Sequence, residues 1–365
     1  MRARACSALP TTRPASARSA TAAPCASHRV SLRPGPQLPG PRPLLPVLWP
    51  ARCTAAPSTQ ARLTCHVRAS STDHSLMLAA AGCWSQIIGG GFSFYGIQRG
   101  VGSISAWGAN SFAPLPANLT GVKTAALKEL TSCVVLSAGG TVQCYGSNDK
   151  GILNVPTGLA GVTDISMSST DATACVVDGR GKVVCWGDNR RGQATPPADL
   201  PPAKAVVAGD YNSCALLVAG TVRCWGVPGF AGSVPPPGLS GVTAITGGTS
   251  FTCALKADTT VVCWGQNLYV DPFTPPANLT GVVSIKAGSD HACALTASGS
   301  VVCWGDPPES AVVPPGFIPA GKQAIQLAVS LADTCVVLSD STIKCFGFNI
   351  NDPNEVAPPS CPRAL

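Results

Sequence analysis

The 365-residue sequence has little charge, few aromatic residues and no long apolar run. Charged residues make up 12% of the chain and aromatic residues 5%, against 45% hydrophobic residues. No window reaches the roughly 18 uninterrupted apolar residues that a membrane helix needs, and Pro46 interrupts the apolar run from Leu44 to Trp49. The composition therefore predicts a soluble protein with a globular core and no membrane partner.

Histidine is also scarce, and this limits the catalytic chemistry that the chain can support. Of four His, His291 is the only one after His74. Triad hydrolases need a His beside the nucleophile, but His291 occupies a repeat position that Asn212 fills in another unit, which favours a structural role. We therefore expect no catalytic residue, no enzyme activity, no cofactor and no metal.

Acidic residues are absent from residues 1–72, which contain ten Arg and no Lys. The remaining 15 basic and 18 acidic residues give the body a net charge of −3, which argues against a nucleic-acid partner. An Arg-, Ser-, Ala- and Pro-rich segment without acids is typical of an organelle transit peptide. Residues 65–70 resemble a plastid processing site with cleavage after Ala69. We expect residues 1–72 to be a disordered transit-peptide-like segment; a disordered tail or a mis-assigned start codon is the alternative.

A repeated sequence pattern runs through the rest of the chain. Pairs of an aromatic residue and glycine recur at intervals of 38 to 42 residues and define seven units. The pairs are Trp107-Gly108, Tyr145-Gly146, Trp186-Gly187, Trp225-Gly226, Trp264-Gly265, Trp304-Gly305 and Phe346-Gly347. Units of one type bury their apolar faces only against neighbours, and at this length the natural closure is a ring of four-stranded blades.

One unit near the C-terminal end shows the internal pattern. Apolar runs at Ala294-Leu295 and Val301-Val302 flank a Ser298-Gly299 turn and predict a hairpin. Pro275-Pro276 predicts an exposed connection between blades, because Pro cannot donate to a central ladder. An apolar stripe expected to lie against the blade is formed by Leu279, Val282 and Ile285. The expected fold class is all-β, a seven-bladed β-propeller over residues 76–365.

The unit text Gly-x4-Cys-Ala-Leu, turn, Val-Val-Cys-Trp-Gly resembles the repeats of the regulator of chromosome condensation family, including the ectodomains of crinkly-type receptor kinases. The resemblance covers nearly all of residues 76–365. It implies a seven-bladed propeller, here in a cysteine-rich variant, and for some relatives guanine-nucleotide exchange on a small GTPase. Tryptophan-aspartate propellers are the nearest rival, but this sequence has Trp-Gly where they have Trp-Asp.

Six units carry two cysteines that straddle the hairpin turn, whereas the first unit has Tyr95 and Ala106 there. The Cα atoms of directly opposed residues on antiparallel strands lie about 4.5 to 5.5 Å apart, a separation that a disulfide can bridge. The spacing is too long for a zinc knuckle, and reduced buried thiols are the remaining alternative. The predicted pairs are Cys133/Cys144, Cys175/Cys185, Cys214/Cys224, Cys253/Cys263, Cys293/Cys303 and Cys335/Cys345.

Two body cysteines, Cys83 and Cys361, lie outside the hairpin pairs. The C-terminal Pro358-Pro359-Ser360-Cys361 matches the beginning of a repeat, and the segment that starts at Cys83 matches the continuation of the same repeat. Aligned with the unit that begins at Pro275, Cys361 falls at the position of Asn278 and Cys83 near that of Gly281. We therefore expect a Cys83–Cys361 disulfide that locks the ring, with two unrelated thiols as the alternative.

The sequence contains conflicting indications of compartment. Six disulfides favour an oxidising environment, whereas the N-terminal segment favours a plastid; secretion is the alternative to the plastid. Asn118-Leu-Thr and Asn278-Leu-Thr fit the N-glycosylation pattern, but both fall in repeated text, so duplication explains them equally well.

Two loops could carry function. Arg190 and Arg191 follow a blade strand and could contact an acidic partner, with a solvated loop as the alternative. Residues 349–355 have oxygen ligands but not the ordered spacing of a known calcium loop. We expect a monomeric, non-enzymatic scaffold that presents its loops to a protein or peptide partner. Exchange on a small GTPase and extracellular ligand sensing are the alternatives.

Overall fold

The computed structural model describes residues 83–108, 115–168, 170–229, 231–265, 273–306 and 312–347, together with two short strands nearer the N-terminus. The chain divides into two units, Met1–Ala69 and Ser70–Leu365. In the first unit, the strands Cys53–Thr54 and Thr64–Cys65 pair antiparallel. The second unit contains the repeats.

Seven antiparallel sheets, here called blades 1 to 7 in chain order, form the second unit. Each blade has an inner, a middle and an outer strand, paired in that order. The inner strands are Trp84–Gly90, Val122–Lys128, Asp164–Met167, Ala203–Ala208, Val242–Gly247, Val282–Ala287 and Ala324–Val329. The middle strands are Ser93–Gln98, Thr131–Leu136, Thr173–Val177, Asn212–Leu217, Phe251–Lys256, His291–Thr296 and Asp333–Leu338. The outer strands are Ile104–Gly108, Val142–Gly146, Val183–Gly187, Val222–Gly226, Val261–Gly265, Val301–Gly305 and Ile343–Gly347.

The expected four-stranded blade is wrong for the described connections. The segments 147–161 and 188–202 join successive blades without adding a strand, and residues 227–229 and 231–241 add none either. Two of these segments contain 3₁₀ turns, Asp149–Gly151 and Ala231–Ser233. Pro lacks the N–H that a fourth strand would donate. These segments instead make single turns, such as the Leu239 N–H donating to the Pro236 carbonyl at 3.2 Å.

Burial confirms that the repeated apolar residues form the core. The middle strands are buried along nearly their whole length. Val282 is 2% exposed and Ile285 4% exposed, and Leu279 packs against the same cluster. Trp225 is buried, and its indole N–H donates to the Gln193 carbonyl at 2.9 Å. Trp186 and Trp264 make the equivalent bond, so in blades 3 to 5 the recurrent Trp anchors the preceding connection to its blade.

Contacts between the seventh and first blades close the ring, which confirms the predicted seven-bladed propeller. The Gln326 side-chain oxygen accepts from the Ile87 N–H at 3.1 Å, and its amide nitrogen donates to the Trp84 carbonyl at 3.2 Å. The Leu331 N–H donates to the Gly91 carbonyl at 2.6 Å. These hydrogen bonds satisfy backbone groups that an open propeller would leave at two free edges.

Candidate functional site

The ring has two faces and a central lumen. The loop face is the side where the inner strand of each blade turns into the middle strand, as at residues 209–211 and 288–290. The turn face is the opposite side, with the middle-to-outer turns. All seven inner strands line the lumen, which has a volume of about 290 Å³.

Glycine lets the inner strands approach closely near the loop face. A Cβ on Gly89 would lie 2.3 Å from the Val329 carbonyl oxygen, and one on Gly288 would lie 2.2 Å from the Ser330 carbonyl oxygen. Neither distance admits a side chain. The Gly89-Gly90-Gly91 run, which superficially resembles a kinase Gly-rich loop, is therefore a packing feature of blade 1.

Two charged residues, Asp164 and Lys286, line the described part of the lumen. One Asp164 carboxylate oxygen accepts from the Val206 N–H at 2.8 Å. The pKa of Asp164 is raised, because burial outweighs the Val206 hydrogen bond and the positive charges of Lys286 and Lys123. Lys286 is exposed to the water-accessible lumen. Desolvation within the ring lowers the pKa of Lys286, although the charge of Asp164 acts in the opposite direction.

On the loop face, the Asp210 carboxylate joins the loops of blades 3 and 4. Asp210 is 1% exposed. It accepts from the Thr170 N–H at 3.1 Å, the Thr170 hydroxyl at 2.5 Å and the Asp171 N–H at 2.8 Å. Charged hydrogen bonds of this kind are among the stronger ones in proteins, so Asp210 orders the loop that contains Asp171.

The structure places both arginines singled out from the sequence beside Asp171. Arg191 pairs with Asp171, donates to the Asp210 carbonyl at 3.2 Å and lies 4.2 Å from the centre of the Tyr211 ring. Arg190 pairs with Asp188 at 2.7 Å and with Asp171 at 3.2 Å, and its hydrogen bond lowers the pKa of Asp188. Arg191 therefore stabilises the loops, whereas Arg190 keeps 59% of its side chain exposed.

His291 is fully buried at the start of the middle strand of blade 6. Its Nε2 lies 3.3 Å from the Thr334 hydroxyl, and its Nδ1 has no hydrogen-bond partner in the part of the chain that the structure describes. Desolvation lowers its pKa from 6.5 to about 4. The burial and the position at a strand start fit the structural role expected from the sequence.

We expect the propeller to lose stability as the pH falls from 6.5 towards 4. The unfolded chain protonates His291 at its ordinary pKa of 6.5, whereas the folded protein resists protonation until about pH 4. The proton therefore favours the unfolded state across this window, by up to about 3 kcal/mol. Thermal unfolding at stepped pH measures the effect. His291→Asn, which copies blade 4, should be less pH-sensitive than the parent; equal pH dependence of the two proteins would contradict the prediction.

The six hairpin disulfides predicted from the repeats are present in the structure. Each joins directly opposed residues of a middle and an outer strand, as in the register of Cys253 with Cys263. Their Cα separations are 4.0 to 4.1 Å, slightly shorter than expected. The six bonds are Cys133–Cys144, Cys175–Cys185, Cys214–Cys224, Cys253–Cys263, Cys293–Cys303 and Cys335–Cys345. In blade 1, Tyr95 and Ala106 oppose each other at the same register.

Several remaining predictions fall at or beyond the limits of the described residues. Cys83 is disulfide-bonded, but Cys361 lies outside the described residues, as does the calcium-like segment 349–355. Within the described residues, no group of three or more His, Cys, Asp or Glu could hold a metal ion. No described helix is long and apolar enough to cross a membrane.

The sequence did not reveal the lumen charges or the role of Asp210. Lys286 occupies a position of the inner strand at which other blades have small or apolar residues such as Ala126, Val207 and Ala328. A charged residue at such a position is the sequence feature that could have revealed the lumen site. Asp210 had no comparable signal, because its partners Thr170 and Asp171 belong to the loop of the neighbouring blade.

Comparisons with known proteins agree with this architecture. The family model for the regulator of chromosome condensation (RCC1) repeat matches residues 162–193, 203–230 and 282–309, which fall in blades 3, 4 and 6. No curated protein sequence gives a significant match.

Several solved structures share the fold. The CRINKLY WD40 ectodomain of the Arabidopsis thaliana receptor kinase ACR4 aligns with a TM-score of 0.57 at 24% identity, over 74% of this chain and 97% of that one. The entire ectodomain of the Physcomitrella patens receptor kinase CR4 gives 0.56 at 20% identity, over 72% of each chain. Prp20p from Saccharomyces cerevisiae, studied with its binding to Gsp1p and histones, gives 0.53 at 14% identity, over 73% and 83%.

Proposed function

Because this chain is a seven-bladed propeller that carries regulator of chromosome condensation repeats, we propose that it is a non-enzymatic scaffold for a protein or peptide partner. The partner binds the loop face at blades 3 and 4. The observation that carries this proposal is Arg190, whose guanidinium is held by two carboxylates while 59% of its side chain stays exposed.

A pre-oriented cation suits partner recognition. Binding costs less conformational entropy when the contacting side chain is already fixed. Asp188 and Asp171 engage the Nε and one terminal nitrogen of Arg190. A guanidinium has five N–H donors in all, so donors remain for a partner carboxylate. Asp210 and Arg191 hold the surrounding loops in place.

Acidic groups elsewhere on the loop face define a second requirement for the partner. Burial and the neighbouring charges of Asp306 and Asp210 raise the pKa of Asp290, which indicates that these carboxylates share one region. A partner that also covers this region would complement Arg190 with a carboxylate and the acidic region with a basic group. This mixed pattern favours a folded protein or a peptide of mixed charge over a uniformly acidic one.

Guanine-nucleotide exchange on a small GTPase is a weaker candidate. Exchange needs an insertion that reaches the nucleotide pocket, and repeat spacings of 38 to 42 residues leave no unit with a long one. The likeness to Prp20p, at 14% identity, supports the fold rather than a shared partner. Extracellular ligand sensing is compatible with the scaffold proposal, because it requires the same kind of loop-face contact.

The disulfides favour an oxidising compartment over a plastid stroma. Such bonds persist in secreted proteins and are rare where thiols are kept reduced, and two of the similar structures are receptor ectodomains. The fold and the similar structures give no support to the plastid destination expected from residues 1–72. We propose that the propeller is extracellular.

The two glycosylation patterns fit this proposal. Asn118 and Asn278 are exposed in equivalent turns, closed by Leu119 donating to Pro116 and Leu279 to Pro276, both at 3.0 Å. Each precedes by three residues a glycine, Gly121 or Gly281, whose carbonyl accepts a hydrogen bond at the turn face. Glycans there would leave the loop face open to a partner.

Affinity capture from extracellular extracts, with the tagged full chain as bait, tests the proposed function. We expect Arg190→Ala to reduce capture of the partner by about tenfold, the effect of losing one charged contact of about 1.4 kcal/mol. Arg180→Ala is the matched control, because Arg180 is an exposed arginine of the same blade at the turn face.

The two variants distinguish the two faces of the ring. Loss of the partner with Arg190→Ala and retention with Arg180→Ala would support the loop face. Equal capture by parent and Arg190→Ala would contradict the proposed contact, and capture of a small GTPase would favour exchange.

A further inference from the structure

We propose that the lumen is a binding site for a single carboxylate, with Lys286 as its counter-ion. The site is separate from the loop-face surface and does not depend on it. It is formed by the inner strands themselves, so that its walls are fixed by the closure of the ring.

In the described part of the lumen, the carboxylate has a direct hydrogen-bond partner and the cation has none. Asp164 interacts with two cations, Lys286 in the lumen and Lys123 on the inner strand of blade 2. Lys123 is not among the residues that line the lumen, and the formal charges of the two lining groups, Asp164 and Lys286, balance. No hydrogen bond or ion pair joins the Lys286 ammonium to another residue within the described ranges, whereas Asp164 already accepts the Val206 N–H. Lys286 is thus a lumen cation without a direct counter-ion, and a bound carboxylate would supply one.

The lining selects a small, partly apolar carboxylate over phosphate. Ile88, Val207 and Met167 contribute apolar surface, and Thr246 lies at the same level of the neighbouring inner strand as Lys286 and offers a hydroxyl donor. One lysine neutralises a monoanion, whereas phosphate is generally bound by several donors or arginines. The volume of about 290 Å³ lies near the lower end of the usual range for small-molecule sites.

Two sources could supply this chemistry, a free short-chain carboxylic acid or the C-terminal carboxylate of a peptide inserted into the lumen. Sodium butyrate represents the first source. The tripeptide Ala-Ala-Ala represents the second, and its C-terminal amide removes the charge while keeping the shape. Butylamine serves as a cation of the same size as butyrate.

Calorimetric titration of the oxidised full chain with these four probes tests the site. We expect butyrate or Ala-Ala-Ala to bind, and the amide and butylamine to bind more weakly. Lys286→Met keeps the length of the side chain and should weaken carboxylate binding by about tenfold or more. Lys182→Met removes an equal charge from the exposed turn of blade 3 and should leave the affinity unchanged.

A second variant separates electrostatics from misfolding. Asp164→Asn keeps an oxygen acceptor for the Val206 N–H and removes the negative charge, so it should tighten carboxylate binding. A damaged fold would weaken it. Because the pKa of Lys286 is lowered, binding to the parent should also decline at a lower pH than expected for an ordinary lysine. The proposal is overturned if no carboxylate probe binds, if Lys286→Met binds as well as the parent, or if Asp164→Asn binds more weakly.

Discussion

Reduction of the six hairpin disulfides should unfold the propeller under conditions in which the oxidised protein is stable. Each bond closes a loop with a sequence separation of 10 or 11 residues. A loop of this size contributes about 2 to 3 kcal/mol in the chain-entropy model. Six such contributions rival the whole stability of a typical domain, about 5 to 15 kcal/mol. The melting temperature and the rate of proteolysis, measured with and without reductant, report the loss.

Blade 1 provides an internal control for this prediction. Its hairpin has Tyr95 opposite Ala106 where the other blades have a disulfide, and the Tyr95 hydroxyl lies 2.8 Å from the Ser132 hydroxyl of blade 2. Amide exchange under mildly reducing conditions, before global unfolding, should therefore accelerate in the hairpins of blades 2 to 7 more than in that of blade 1.

A single-blade variant sharpens the test. The double substitution Cys253→Ala/Cys263→Ala should cost about 2 to 3 kcal/mol and accelerate exchange in the hairpin of blade 5. Reductant should then have no further local effect on that hairpin. All twelve hairpin cysteines found free to alkylation in the unreduced protein would contradict the disulfides and the extracellular proposal with them.

The repeats predicted the fold because each one has the same pattern of strands, turns and cysteine positions. The cysteine spacing predicted that Cys253 lies opposite Cys263, and the number of aromatic-Gly pairs predicted the number of blades. The absence of a fourth strand was harder to predict. A Pro-rich connection has a similar sequence pattern whether or not it contains an edge strand. The two proposed sites, by contrast, depend on residues that occur in single repeats and not on the pattern that the repeats share.

Both proposed sites depend on contacts between different blades, which the sequence alone does not show. Lys286 and Asp164 belong to blades 6 and 3, and they share the lumen only because the ring closes. Arg190 and Arg191 were recognised as cations in a loop. Their pairing with Asp171 depends on how the loops of blades 3 and 4 pack, which Asp210 determines through hydrogen bonds between blades.

The position of Cys83 in the structure agrees with the alignment from which we predict its bond to Cys361. The Arg99 N–H donates to the Cys83 carbonyl at 2.7 Å, just as the Ala297 N–H donates to the Gly281 carbonyl at 2.8 Å. Cys83 therefore occupies the Gly281 position of its unit, as the alignment predicted. In the sequence alignment, Cys361 falls at the position of Asn278, three residues before the Gly281 position.

We predict that Cys361→Ser lowers the stability of the oxidised propeller by about 5 kcal/mol, because the Cys83–Cys361 bond closes a loop of nearly the whole second unit. This exceeds the effect of any one hairpin bond. Chemical unfolding of the oxidised protein measures the loss, and alkylation should label Cys83 in the variant but not in the parent.

A double-mutant cycle distinguishes a bond from two independent thiols. If Cys83 and Cys361 are partners, then Cys83→Ser, Cys361→Ser and the double variant should all lose the same stability, because either substitution removes the whole bond. Additive losses, or a Cys361→Ser protein that unfolds at the same midpoint as the parent, would exclude the bond. Cys83 is bonded and every other described cysteine of the second unit has its hairpin partner. Peptide mapping of the unreduced protein would identify the partner of Cys83 directly.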